Sequence, residues 1–187
     1  VARPTPLAAN LKDIRREMAA REEQQAYLTV SSAAELFRDS IQSGSAGYQE
    51  IVTETYWGSQ LQGIKTEKRN ADGSFSEIFN NVIPTLLKSP STYQKSYTLS
   101  MAGVEDVTME LSIQPKQGNN DQFILTAVFY NDPEGKHPCK MTLTALGVKT
   151  ISTEQKWGNY WEQYEATTTE MKWSQLTITR PRTRTGD

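Results

Sequence analysis

The residues best equipped for chemistry are His137 and Cys139, two apart in Lys136-His137-Pro138-Cys139. A thiol beside an imidazole is the pairing that makes a cysteine nucleophilic, because the base draws off the proton and leaves a thiolate. The neighbouring residues favour a plainer role. The two flank a proline at the mouth of an expected hairpin, and Cys139 opens an alternating segment whose apolar positions point inward, where it serves as a small hydrophobe. Zinc takes three or four ligands, and one His and one Cys in the whole chain do not make that set. The acidic pairs Glu22-Glu23 and Glu105-Asp106 do not converge on a common point, since adjacent side chains on a helix diverge by about 100°. Neither a Walker loop, a GxGxxG nor a GxSxG elbow occurs. The expectation is a protein that is not an enzyme and uses no cofactor and no metal.

Aromatic side chains are the stronger lead. Trp157-Gly158-Asn159-Tyr160-Trp161-Glu162-Gln163-Tyr164 packs four rings into eight residues. Exposed, Trp157, Tyr160, Trp161 and Tyr164 would form a stacking platform for a ligand such as a carbohydrate; otherwise they cover an open edge or end of a sheet. Tyr56-Trp57 is a smaller instance. Nucleic acid is not expected, because 20 basic side chains stand against 22 acidic ones and give no basic excess.

The elements that must position these groups can be read from periodicity. From Leu11 to Ser43 the chain has no Pro or Gly and is rich in helix formers, with Asn10 as the expected N-cap and Gly44 as the stop. Tyr27, Val30, Ala34, Phe37 and Ile41 make an apolar stripe that Leu28 and Leu36 widen. Leu11, Ile14 and Met18 form a shorter stripe on another face, set off by the polar run Arg21 to Gln25. The second half of the helix is expected to dock on the domain while the first half projects, offering Leu11, Ile14 and Met18 as a candidate assembly face, or packs elsewhere.

Strand-like segments follow Gly47. Val107 to Gln114 alternates apolar and polar, which predicts one buried and one wet face. Phe123 to Tyr130 is apolar on both sides and predicts a central strand. Cys139 to Ala145, Met171 to Trp173, Leu176 to Ile178 and Tyr97 to Leu99 complete an expected meander of about four to six strands. Lys65 to Gly73 reads as a polar loop and Ser76 to Lys88 as a short helix. One domain is expected: 1–10 a linker, 11–43 the helix, 44–180 the antiparallel sheet, and 181–187 a disordered tail. With Cys139 alone, no disulfide forms within the chain. Opening at Val1, without Met, points to a removed leader or membrane helix upstream.

The run Glu23-Gln24-Gln25-Ala26-Tyr27-Leu28-Thr29-Val30-Ser31-Ser32-Ala33-Ala34-Glu35-Leu36 resembles the outer half of the long N-terminal helix of type IV pilin-like proteins of Gram-positive bacteria. Thr167 to Ile178, a Thr-rich stretch leading into a Trp-containing strand, is similar to the closing strands of the same group. The resemblance implies a pilin-like α+β fold, a long N-terminal helix packed on an antiparallel sheet. It further implies an extracytoplasmic, surface-exposed subunit of a pilus or pseudopilus. Such a subunit partners other subunits of a filament or secretion assembly, is held in the membrane through a missing apolar helix, and serves adhesion, secretion or DNA uptake. Two other readings share that architecture: a surface or periplasmic ligand-binding module with the aromatic platform, and a periplasmic component of a secretion or conjugation complex.

Overall fold

The structure, a computed structural model, describes residues 6–44, 47–69, 72–131 and 139–180. Helix α1 (Pro6–Gln42) is followed by the hairpin β1 (Tyr48–Trp57) and β2 (Gln60–Arg69), then helix α2 (Ser76–Lys88). Five strands complete the chain: β3 (Tyr93–Leu99), β4 (Val107–Lys116), β5 (Asn119–Tyr130), β6 (Lys140–Trp157) and β7 (Glu162–Thr179). They form one antiparallel sheet in the order β2-β1-β7-β6-β5-β4-β3, curled into a half-barrel.

This corrects the pilin-like α+β expectation. The dominant element is the curled seven-stranded sheet, and α1 is not a spine along it. Only the last four turns or so of α1 enter the concavity, where Val30, Ala33, Ala34, Phe37 and Ile41 are buried against β4 to β7. The shorter α2 fills the rest of the hollow with Phe79, Val82, Ile83, Leu86 and Leu87. The concave floor is made by every second residue of β4, β5 and β6, from Val107, Met109, Leu111 and Ile113 to Phe123, Leu125, Ala127, Phe129, Met141 and Leu143. Phe37 is the joint between the layers, with Phe75, Phe79 and Phe129 ring centroids at 4.9, 5.8 and 5.8 Å.

Local chemistry explains the other departures. α1 starts at Pro6, so Asn10 lies inside the helix and is not its cap. Pro suits a first helical position because its missing N–H would go unpaired there anyway. Gly44 does end the helix, at φ 82°, a left-handed conformation that glycine adopts without steric cost. Leu28 and Leu36 are about half exposed and do not belong to the buried stripe. Residues 60–69 form β2 where a polar loop from Lys65 was expected; every one of them is exposed, so no inside-outside alternation is left to read. In β7 the apolar positions switch from odd (Met171, Trp173) to even (Leu176, Ile178). A bulge against β6 between Thr144 and Leu146 supplies the extra residue, with Gln175 at φ 53°. His137, at the mouth of the expected hairpin, and the expected tail at 181–187 lie outside the described residues.

Tyr48 sits where α1 hands over to the sheet and is 4% exposed. Burial, and then the Glu50 carboxylate that accepts its hydroxyl at 2.9 Å, push the phenol up to about 12. A folded-state value above the ordinary 10.0 means the fold holds the proton more tightly than the unfolded chain does. That stabilisation is complete below pH 10 and is lost as pH rises toward 12. Denaturant titrations at pH 10 and pH 12 should show the wild type losing about 1–2 kcal/mol more than Tyr48→Phe. Equal losses in the two proteins would remove Tyr48 as the cause.

Candidate interaction surface at the hairpin tips

Strands β6 and β7 are each 18 residues long. Only one half of each belongs to the body. From Tyr48 and Met171 outward toward the turns, no described residue of β1, β2, β6 or β7 is buried. The nine residues from Glu162 to Glu170 carry this four-stranded ribbon roughly 30 Å beyond the core. It holds its shape through strand-favouring Thr and Tyr and through polar cross-strand pairs, against the like-charge pair Glu54 and Glu165. Gln49 Nε2 donates to Glu170 at 2.5 Å, Thr153 and Thr167 hydroxyls stand 3.5 Å apart, and Tyr56 donates to Glu54 on the same strand.

Two Trp-Gly turns close the ribbon side by side, Trp57-Gly58 and Trp157-Gly158. The Gly58 N–H donates to the Trp161 carbonyl at 3.5 Å, and the Gly158 N–H to Glu162 at 2.9 Å. Gly58 and Tyr160 take φ values of 60° and 62°, conformations that tight turns require and that Tyr adopts only when its surroundings enforce them. Tyr160 is 94% exposed, Trp161 79%, Trp157 75% and Trp57 56%.

The register decides how these rings are disposed. Tyr56 pairs with Leu61 and Gln163, and Gln163 with Trp157, so Leu61, Tyr56 and Trp157 share the side of the ribbon that continues the concave face. Trp57 and Tyr164 point to the outer side, where Tyr164 donates to Glu162 at 2.6 Å and packs against Gly158. Tyr160 and Trp161 crown the turn. The four rings singled out from the sequence are therefore near one another but not coplanar; they wrap a blunt tip. Trp57, Leu61 and Ile64 join them from β1 and β2. The repeated Trp-Gly was the sequence signal for that pairing, and the β2 partners carried no signal because both their faces are wet.

Four carboxylates, Glu54, Glu154, Glu162 and Glu165, collar the tip against two lysines, Lys156, which lies 3.6 Å from Glu154, and Lys65, on the same rung of the ribbon as Glu154. Glu54 and Glu162 hold the Tyr56 and Tyr164 phenols above their ordinary value by accepting their hydrogen bonds. Both rings stay neutral donors at physiological pH.

No family model, no curated protein and no solved structure matches this chain.

The remaining features are less concentrated. A cleft of about 560 Å³ between α2 and β3 is floored by Ile78, Leu86 and Leu99. There the Tyr93 and Tyr97 hydroxyls bond to each other and the Lys95 ammonium stands 5.2 Å from the Tyr97 ring. Burial first, then the Tyr93 bond and the charge of Glu77, push the Tyr97 phenol up, so it is no base near neutral pH. Cys139 is buried and its thiol is pushed up by desolvation, the opposite of what activates a nucleophile. Among the described residues no group of three or more His, Cys, Asp and Glu could hold a metal ion, and no helix is long and apolar enough to cross a membrane. Leu11, Ile14 and Met18 lie on the exposed half of α1, remote from the aromatic tip.

Proposed function

We propose that this protein is a non-enzymatic assembly module that inserts the aromatic tip of its hairpin ribbon into an apolar slot of a partner protein. The observation that carries this reading is the concentration of Trp57, Leu61, Trp157, Tyr160 and Trp161, all at least half exposed, on one blunt projection. Trp and Tyr at the centre of an interface supply most of its binding energy, because they are large and have few rotatable bonds. The acidic collar selects a slot with a basic rim and works against an anionic lipid surface. The division of the rings between two sides of the ribbon works against a flat sugar platform. The role keeps the subunit-in-an-assembly function that the pilin resemblance suggested; the pilin architecture itself does not apply.

A photo-crosslinking residue at position 161, used in cells that make the protein, should yield a discrete protein adduct. The purified adduct partner should then bind the intact protein, with Trp157→Ser/Trp161→Ser weakening the dissociation constant at least tenfold at an unchanged melting temperature. Undiminished binding by that variant would overturn the reading. So would tip-dependent binding to soluble polysaccharide or to phosphatidylcholine vesicles in place of a protein.

A further inference from the structure

A second apolar surface lies at the far end of the molecule and is independent of the tip. Leu11, Ile14, Met18, Leu28 and Leu36 are each between 48 and 54% exposed. On a helix of 3.6 residues per turn they fall within an arc of about 100°, on the opposite side from Val30, Phe37 and Ile41. Positions 11, 14, 18, 21, 25 and 28 alternate steps of three and four, the spacing of a two-helix seam. Residues 10–25 are exposed on every side of α1, so a second helix can approach along the whole stripe.

We propose that α1 pairs antiparallel with α1 of a second copy of this chain through this stripe. The flanking charges choose the direction. A parallel pair would set Glu17 against Glu22 of the second copy, two like charges. An antiparallel pair centred between Ala19 and Ala20 sets Arg15 against Glu22 of the second copy, twice by symmetry. The same register brings Leu11 opposite Leu28, Ile14 opposite Gln25 and Met18 opposite Arg21 of the second copy. Gln25 and Arg21 weaken the seam but fix its alignment, as polar residues at such positions do. Glu22 already has an interaction within the chain, so the charge pairs set direction and register more than affinity. The buried faces of the two helices point away from the seam, and the two sheet domains lie on opposite sides of it.

Sedimentation of the full chain should show a monomer–dimer equilibrium with a dissociation constant on the order of 10 μM. Met18→Asp should weaken it at least tenfold. Arg15→Glu and Glu22→Arg should each weaken it, and the two together should restore it. Under oxidising conditions Leu11→Cys/Leu28→Cys should crosslink into a dimer while Leu11→Cys alone should not. All these positions are exposed, and an unchanged melting temperature separates lost pairing from lost folding. A monomer at every concentration, or no rescue by the double charge reversal, overturns the proposal. Self-crosslinking of Leu11→Cys also overturns it, since that is the parallel arrangement that two N-termini entering one membrane would need. The tip variants should leave this equilibrium untouched, so its failure and that of the tip reading are distinguishable.

Discussion

Phe37→Ala should lower the unfolding free energy by about 3–5 kcal/mol, a large part of what a domain of this size has. Phe37 is fully buried and touches α2 through Phe79, the sheet floor through Phe129, and Phe75, the residue before α2. Truncating it removes the apolar transfer energy of the ring and leaves a cavity that three other rings, held at α2 and in β5, cannot close. Urea unfolding followed by circular dichroism measures it. A loss under about 1 kcal/mol would mean that α1 is not held to the body by this joint.

Gly147→Val is the second large effect, at about 2–3 kcal/mol of destabilisation. Gly147 lies opposite Trp173 on β7, and a Cβ added there would stand 2.6 Å from Trp173 Cζ3. The indole lies flat over the glycine and reaches Phe79 of α2, with ring centroids 6.4 Å apart. It cannot move aside without leaving α2. A valine therefore costs both the clash and the contact. The same urea titration checks it, with the Trp emission shifting to longer wavelength in the folded variant as the indole is displaced. Unchanged stability would show that the ring swings away freely.

Much of the body was legible because one side of each element there is dry. Val107, Met109, Leu111 and Ile113 alternate with wet residues, and Phe123 to Tyr130, apolar on both sides, lies third from one edge with neighbours on each side. The stripe of Val30, Ala34, Phe37 and Ile41 docks as its spacing requires. Leu28 and Leu36 widen that stripe in the sequence but not in the structure, because helical position alone does not tell a core face from a second, solvent-facing one. The ribbon was mostly illegible. Where a strand has water on both sides, its composition answers to cross-strand pairing and carries no period of two, so Lys65 to Arg69, the second half of β2, reads as part of a polar loop. Its aromatic residues were noticed, yet their disposition depends on register, and no residue pattern places Tyr56 beside Gln163 and Gln163 beside Trp157. The α2–β3 cleft was missed for the same reason: Tyr93 and Lys95 become neighbours of Glu77 and Ile78 only once the sheet has curled.

The length of β6 and β7 has a mechanical consequence. Each strand is continuous from the buried floor to the tip, with no hinge between body and ribbon. α1 leaves the body at the other end, since Ile41 lies near Met171 while Tyr27 lies near Arg180, beyond the close of β7. A pull between the two projections therefore runs along the strands; β6 and β7, joined at the tip, are drawn together, and the ladder loaded in shear is the one between β7 and β1, the strand that follows α1. Sheared ladders share the load and give way together, whereas a ladder pulled crosswise opens one bond at a time. A protein built this way transmits tension through its body as a tie rod does.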